Sequence, residues 1–266
     1  MKLALIQNLV FDDKIRNVEN AVHGIEKAAK AGADMVMLPE MFCCPYTNAR
    51  FSKYAEEAGD YIYTSMQKAA KENEIVLVAG SMPEKDADRI YNTAFVFDQT
   101  GKMIARHRKV HLFDINVKGG QSFQESKTFC AGNEVTLFDC SLGRFGLCIC
   151  FDMRFPELSR SMTLCGAQAI LCPAAFNMTT GPAHWELMFR QRAVDNQLFT
   201  AGCSPAQDEN GIYVAYGNSI VCSPWGDVVA RAGYEETILY ADVDLSYDEE
   251  IREQLPLLSA RRRDIY

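Results

Sequence analysis

The chain has 266 residues, of which 48% are hydrophobic and 23% charged, and its formal net charge is −8 at pH 7. These proportions are ordinary for a soluble globular protein. The acidic balance argues against nucleic acid as the main partner, because phosphate binding needs a basic surface. No apolar run approaches the roughly 20 residues of a membrane helix, so no membrane association is expected.

The N-terminal stretch MKLALIQNLVFDD lacks both the basic segment and the small-residue cleavage site of a signal peptide. We interpret residues 2–7 as a first strand and predict a cytoplasmic location. The ten cysteines are therefore expected to be reduced thiols. The closest groupings, Cys43-Cys44 and Cys148-Ile149-Cys150, do not have the spacing of zinc ligands, so no metal is predicted.

Strand and helix patterns then alternate along the chain. Apolar or small residues at helical spacing predict a helix over 16–31, which Gly32 ends. Two later helices are predicted over 154–165 and 183–197, and a short helix in the last twenty residues. Strands are predicted at 2–7, 34–38, 75–80, 91–98, 103–112, 135–139, 145–150, 169–172, 198–203, 218–222, 227–232 and 238–244.

One internal similarity relates two distant segments. AGADMVMLPE (31–40) resembles CGAQAILCPA (165–174), and each follows an apolar strand and a helix. Two such strand–helix–strand units predict an α/β fold with pseudo-twofold symmetry and both faces of each sheet covered. The alternative is that all units of this type look alike. No low-complexity linker divides the chain, so a single domain over 1–266 is expected.

The similarity places Glu40 and Cys150 just after strands, where open α/β sheets bind ligands. Cys150 is either a nucleophile that attacks a carbonyl or a buried structural thiol. A helix that begins near Asp152 would direct free N–H groups at its thiolate. The base would be a histidine or Glu40, whose pKa an apolar neighbourhood would raise. Lys109 offers a fixed positive charge to an oxyanion; solvated surface charges are the alternative for Glu40 and Lys109.

Three separated motifs resemble the signature blocks of the nitrilase superfamily of carbon–nitrogen hydrolases, in the same order. They are PEMF (39–42), RKVHLFD (108–114) and CICFDMRFPEL (148–158). The resemblance implies a four-layer αββα sandwich and a catalytic triad of Glu40, Lys109 and Cys150. It also implies a second acid, which FQESKT places at Glu125.

Two longer segments, KVHLFDINVKGGQSFQESKT and FNMTTGPAHWELMFRQRAVDNQ, are similar to the omega-amidase branch. That branch hydrolyses the side-chain amide of 2-oxo acids such as 2-oxoglutaramate and 2-oxosuccinamate. A guanidinium at Arg154 would clamp a substrate carboxylate bidentately. The alternative for Arg154 is an ion pair with Glu157 or Asp152. Tyr46, Thr179 and Thr180 are candidates for further hydrogen bonds to the substrate.

The expected mechanism uses no metal and no organic cofactor. Glu40 takes the thiol proton, and Cys150 attacks a small-molecule amide to form a thioester that water hydrolyses. Lys109 and the backbone N–H of Phe151 stabilise the oxyanion. The resemblance further implies a homodimer, with the helices at 154–165 and 183–197 as candidate contacts.

Other functions stay open at this point. The nearest alternatives are a deaminated-glutathione amidase and an N-carbamoyl hydrolase. A thiol-rich redox or metal-binding protein is the alternative from another class.

Overall fold

A computed structural model of the protein describes residues 1–265. It contains two six-stranded sheets and a small two-stranded hairpin. The first sheet has the spatial order β14 (Thr237–Asp242), β1 (Lys2–Gln7), β2 (Met35–Met37), β3 (Val76–Asp86), β4 (Arg89–Phe97) and β5 (Met103–Arg108). The second has the order β8 (Thr136–Cys140), β9 (Gly143–Leu147), β10 (Ala169–Pro173), β11 (Phe199–Cys203), β12 (Ile220–Cys222) and β13 (Val228–Arg231). The hairpin pairs β6 (Asp114–Asn116) with β7 (Ser122–Gln124).

The two sheets have the same pairing pattern. In each, an antiparallel edge strand is followed by three parallel strands and then by two antiparallel ones. The predicted pseudo-twofold relation is therefore confirmed, with β14 and β1–β5 corresponding to β8–β13.

Helices cover the outer face of each sheet. The helices are α1 (Lys14–Lys30), α2 (Asn48–Tyr54), α3 (Tyr61–Glu72), α4 (Pro156–Leu164), α5 (Gly181–Asn196) and α6 (Tyr247–Gln254). The α1 and α3 helices pack on the first sheet, and α4 and α5 on the second. Alternation along β1 shows the layering: Leu3 and Leu5 pack in the core shared with the second sheet, whereas Ala4 and Ile6 face α1. The four-layer αββα sandwich is thus confirmed.

The helix predicted over 154–165 begins later than expected. A 3₁₀ helix covers Cys150–Arg154, and α4 starts at Pro156. Phe155 between them is extended, with ψ 103°, because a residue before proline avoids the α-helical region. Proline in turn suits the first turn of a helix. The predicted helix beginning near Asp152 is therefore wrong as an α-helix, although a 3₁₀ helix does begin at Cys150.

The strand predicted over 103–112 ends at Arg108. Two helices, α2 and α3, and the β6–β7 hairpin were not predicted. Among the helices of residues 1–265, none is long and apolar enough to cross a membrane.

Candidate active site

Glu40 lies just past β2, fully buried. Its loop crosses β3 at Gly80, which has φ +38°. A Cβ at this position would lie 2.2 Å from the carbonyl oxygen of Pro39. Only glycine therefore lets the backbone before Glu40 approach β3 this closely. This contact directs the carboxylate between the two sheets.

Lys109 lies directly after β5, where its N–H donates to the carbonyl of Asn92 at 2.8 Å. Its Nζ is 2.8 Å from Oε1 of Glu40 and 2.9 Å from Oε2 of Glu125. All three side chains are fully buried. The structure thus brings together the lysine and both acids predicted from the sequence.

Two neutral groups complete this acid–lysine cluster. Asn92 Nδ2 donates to Oε1 of Glu40 at 2.8 Å and to Oε1 of Glu125 at 2.9 Å. The Tyr46 hydroxyl lies 3.3 and 3.2 Å from the same two oxygens. Tyr46 therefore contacts the catalytic candidates themselves. Asn92 was missed, because one amide in an apolar strand has no distinguishing sequence pattern.

Cys150 is the first residue of the 3₁₀ helix and has φ +47°, a conformation that non-glycine residues rarely adopt. Burial raises the pKa of its thiol well above the usual value, and the negative charge of Glu40 raises it further. Lys109 and the backbone N–H of Ala175 oppose this shift. The resting thiol is therefore neutral and needs a base to become a nucleophile.

Glu40 has the properties of that base. Burial raises its pKa; Lys109 lowers it, Glu125 raises it, and the net direction is upward. The Cys150 thiol also lowers this pKa, but less than Lys109 does. Within residues 1–265, Oε2 of Glu40 has no hydrogen-bond partner, so this oxygen is available to accept a proton.

Lys109 keeps its positive charge although it is buried. Burial by itself would lower its pKa, but the charges of Glu125 and Glu40 outweigh that cost and raise it. The ammonium therefore stays protonated beside the thiol. Glu125 is fixed in turn by the backbone N–H of Phe113, which donates to its Oε2 at 2.6 Å.

Arg154 ends the 3₁₀ helix that Cys150 begins. Its Nη1 is 3.1 Å from Nδ1 of His184, and its guanidinium lies 4.8 Å from the centre of the Phe176 ring. Within the described chain it forms no ion pair with Glu157, Asp152 or any other carboxylate. Burial lowers its pKa, whereas the nearby Cys150 raises it. Within the described residues, the structure thus shows a guanidinium near the Cys150 thiol without a carboxylate partner.

The two threonines lie apart from the acid–lysine cluster. The backbone N–H groups of Thr179 and Thr180 donate to Oδ1 of Asn177 at 3.0 and 3.1 Å, at the start of α5. Across residues 1–265, no hydrogen bond joins either threonine to Glu40, Lys109 or Cys150.

A cavity of about 190 Å³ reaches Glu40 from the surface. Its inner wall is formed by Glu40, Tyr46, Ala175 and Tyr213, and its mouth by loops at 10–12 and 205–212. The Tyr213 ring lies 5.0 Å from that of Tyr46. No sequence pattern indicated Tyr213, which lies in a loop. Cys150, Lys109 and Arg154 do not line this cavity.

Residues 2–253 match the family described as carbon-nitrogen hydrolase. The chain belongs to this family. The omega-amidase NIT2 of mouse (Mus musculus) is 48% identical to it over 265 residues, which cover 100% of this chain and 96% of the relative. The omega-amidase NIT2 of cattle (Bos taurus) is 49% identical with the same coverage. The crystal structure of Saccharomyces cerevisiae Nit3, from branch 10 of the nitrilase superfamily, has a TM-score of 0.90 and 41% identity. That match covers 98% of this chain and 96% of Nit3.

The predicted nitrilase superfamily and its omega-amidase branch are therefore confirmed. This carbon–nitrogen hydrolase is an enzyme that cleaves amides. All ten of its cysteines are free thiols. Within residues 1–265, no group of three or more His, Cys, Asp or Glu side chains is arranged to hold a metal ion.

Proposed function

We propose that this enzyme hydrolyses the terminal amide of short 2-oxo dicarboxylate monoamides, with 2-oxoglutaramate and 2-oxosuccinamate as substrates. The observation that supports this choice is the half-buried guanidinium of Arg154, which has no carboxylate partner within the described chain. Partial burial makes a cation without a partner costly, so an anion would stabilise it, and a planar guanidinium matches a carboxylate bidentately. The name omega-amidase, carried by relatives over the whole chain, agrees with this substrate class.

The first half of the reaction forms a thioester on Cys150. Glu40 takes the thiol proton, and the sulfur attacks the amide carbon. Lys109 stabilises the developing oxyanion together with the N–H of Phe151. Phe151 is the second residue of the 3₁₀ helix, where N–H groups have no partner inside the helix. Glu40 then gives the proton to the leaving ammonia as the tetrahedral intermediate collapses.

The second half of the reaction hydrolyses the thioester. Glu40 takes a proton from a water molecule, the resulting hydroxide attacks the thioester carbonyl, and the acid leaves as the proton returns to sulfur. The cavity at Glu40 gives water access to this carboxylate. Glu125 fixes the position of Lys109 through the 2.9 Å ion pair. Each step uses side chains and backbone of the chain itself, so no metal or cofactor is required.

A panel of amides tests the substrate class. Ammonia release is measured with 2-oxoglutaramate, 2-oxosuccinamate, deaminated glutathione, an N-carbamoyl amino acid and a simple aliphatic amide. We expect the two 2-oxo monoamides to have the highest kcat/KM. Higher efficiency with deaminated glutathione or the carbamoyl compound would instead assign one of the alternative amidase functions. Mass spectrometry of the quenched reaction should show the acyl group on the Cys150 peptide.

We also propose a homodimer formed through α4 and α5. These helices lie side by side on the second sheet, where Arg160 donates to the carbonyl of Asp195. Their surroundings expose large apolar side chains: Leu187 is 64% exposed, Trp225 53% and Leu164 49%. Apolar groups this exposed favour burial against a second copy, in a twofold isologous contact.

A further inference from the structure

Asp152 is a fully buried carboxylate two residues beyond Cys150 that the mechanism above does not use. It accepts backbone hydrogen bonds from Ile149 at 3.1 Å and His111 at 2.8 Å. It also lies 3.0 Å from Nε2 of His107 and 2.8 Å from Nδ1 of His111. Burial would raise its pKa, but the hydrogen bonds from the two histidines outweigh this and lower it. The carboxylate is therefore ionised and saturated with donors.

On one side, Asp152 closes the turn that holds the nucleophile. Its N–H donates to the carbonyl of Ile149 at 3.0 Å, while its carboxylate accepts from the N–H of the same residue. Cys150 lies inside this pair of bonds with its positive φ. A non-glycine residue keeps such a backbone only where its surroundings fix it. The two bonds supply that constraint.

On the other side, Asp152 holds the segment that carries the cation. His107 and His111 lie two residues before and two residues after Lys109. Both bind the same carboxylate, and each is fixed by a further contact. Nδ1 of His107 is 2.9 Å from Oγ1 of Thr136, and the His111 ring stacks on Phe155 at 3.6 Å. The Asp152 side chain thus links two segments. One is the turn that contains Cys150, after β9 of the second sheet, and the other is the segment of Lys109, after β5 of the first sheet.

We propose that Asp152 is a positioning residue, which sets the distance and direction between the Cys150 sulfur and the Lys109 ammonium. This inference rests on the roles proposed for Cys150 and Lys109. A misplacement of about 1 Å can lower a rate on the order of 100-fold, because the reacting groups no longer meet in line.

Substrate binding should be spared when Asp152 is altered. The far end of the 3₁₀ helix is held separately by Arg192, whose guanidinium donates to the carbonyls of Met153 and Arg154 at 3.1 Å each. The backbone of Arg154 therefore keeps its place without Asp152. A loss confined to the alignment of Cys150 with Lys109 should lower kcat and leave KM nearly unchanged.

The test is Asp152→Asn, which keeps the shape of the side chain and removes its charge. Reactive Cys150 is counted by iodoacetamide labelling and peptide mass spectrometry, and kcat is expressed per labelled thiol. We expect kcat to fall about 10- to 100-fold with KM within about threefold of the parent. His107→Gln, which keeps a donor towards Asp152, should retain at least about tenfold more kcat than His107→Leu, which has none.

Glu84→Gln is the matched control. Glu84 is also a buried, ion-paired carboxylate of the first sheet, bound to Arg108 at 2.8 Å, and it does not contact the acid–lysine cluster. The Glu84→Gln enzyme should keep the parent kcat per labelled thiol even if its melting temperature falls. An Asp152→Asn enzyme with a lower melting temperature but an unchanged kcat per thiol would overturn the proposal, as would equal rates in the two His107 variants. A Cys150→Ala enzyme that kept its activity would instead overturn the proposed function itself.

Discussion

Nη1 of Arg154 lies 3.1 Å from Nδ1 of His184. A guanidinium can only donate hydrogen bonds, so Nδ1 of His184 is the acceptor in this contact. The bond orients Arg154 without compensating its positive charge. Within residues 1–265 no carboxylate supplies that compensation either, as the proposed pairing of Arg154 with a substrate carboxylate requires.

Arg154→Lys should therefore harm carboxylate substrates selectively, because an ammonium cannot reproduce the planar fork. In the parent enzyme, kcat/KM should be about 100-fold or more higher for 2-oxoglutaramate than for a matched amide without the second carboxylate, which would leave the guanidinium unpaired. Arg154→Lys should reduce this preference. The rate with a matched amide that lacks the second carboxylate should change little. Steady-state ammonia release measures both. Equal efficiency of the parent enzyme on the two amides would refute the Arg154 clamp.

Cys150→Ala should abolish turnover and leave the fold intact, because the nucleophile is lost while the turn around it remains. Cys148→Ala is the control: Cys148 is equally buried and lies two residues earlier, and this variant should keep most of its activity. Ammonia release and circular dichroism measure activity and folding. Loss of activity only in the Cys148 variant would move the nucleophile to that residue.

Glu40→Gln keeps the shape of the side chain and removes the proton carrier, so kcat should fall at least about 100-fold. Lys109→Gln should lose about 100- to 1,000-fold through the oxyanion. It should also destabilise the protein, because two buried carboxylates would then face each other without a cation. Activity is therefore compared at equal folded concentration, determined from thermal melts. A near-normal rate in Glu40→Gln would rule out Glu40 as the base.

Leu187→Glu should weaken the proposed homodimer at least about tenfold, because a charge would be placed in an apolar contact. The matched control is Ile15→Glu on α1, a 57% exposed residue of the opposite outer layer. It should leave the assembly unchanged. Light scattering across a concentration series measures the dissociation constant. A parent protein that is monomeric at micromolar concentration would contradict the proposed dimer.

Asp248 on α6 should make the free energy of unfolding fall as pH rises from about 4 to about 8. Burial raises its pKa to about 8; Arg252 opposes the shift, and Glu249 adds to it. The folded-state pKa thus lies above that of an unfolded chain, so the contribution of Asp248 to stability is full below about pH 4 and is lost progressively as pH rises to about 8. Between pH 6 and pH 9 the loss is about 2–3 kcal/mol.

Asp248→Asn should remove this dependence, because an amide does not ionise in this range. Urea unfolding at both pH values should show the parent losing stability relative to the variant. Equal losses of stability between pH 6 and pH 9 in the parent and in Asp248→Asn would show that Asp248 titrates near the ordinary pKa of an aspartate.

The main elements of the fold could be predicted because periodicity and glycine positions identify βαβ units. The α3 helix was not predicted, although Ile62, Met66, Ala69 and Ala70 have helical spacing that indicates it. The β6–β7 hairpin was not predictable, because its three-residue strands are mostly exposed and have no apolar alternation. The single domain over 1–266 and the cytoplasmic location stay predictions.

The candidate site was predictable only in part. Glu40, Lys109, Glu125 and Cys150 lie in motifs that resemble a known superfamily, and the carboxylates of Glu40 and Glu125 both lie within 3 Å of the Lys109 nitrogen. Asn92 and Asp152 contribute through contacts with residues distant in sequence, and no local pattern reveals such contacts. Histidine was the alternative to Glu40 as the base, but His107 and His111 are both bonded to Asp152.

The register of the two sheets has a consequence for the origin of the site. Leu3 pairs with Met35 in the first half, and Phe145 with Ala169 in the second. Five residues beyond each of these lie Asn8, Glu40, Cys150 and Ala174 respectively. In the first half, Asn8 thus occupies the position equivalent to Cys150. In the second half, Ala174 occupies the position equivalent to Glu40. If one ancestral unit was duplicated, the two copies have since divided the labour, one keeping the acid and the other the thiol. Neither half alone contains both the acid and the thiol, so selection for activity acts on the two halves together.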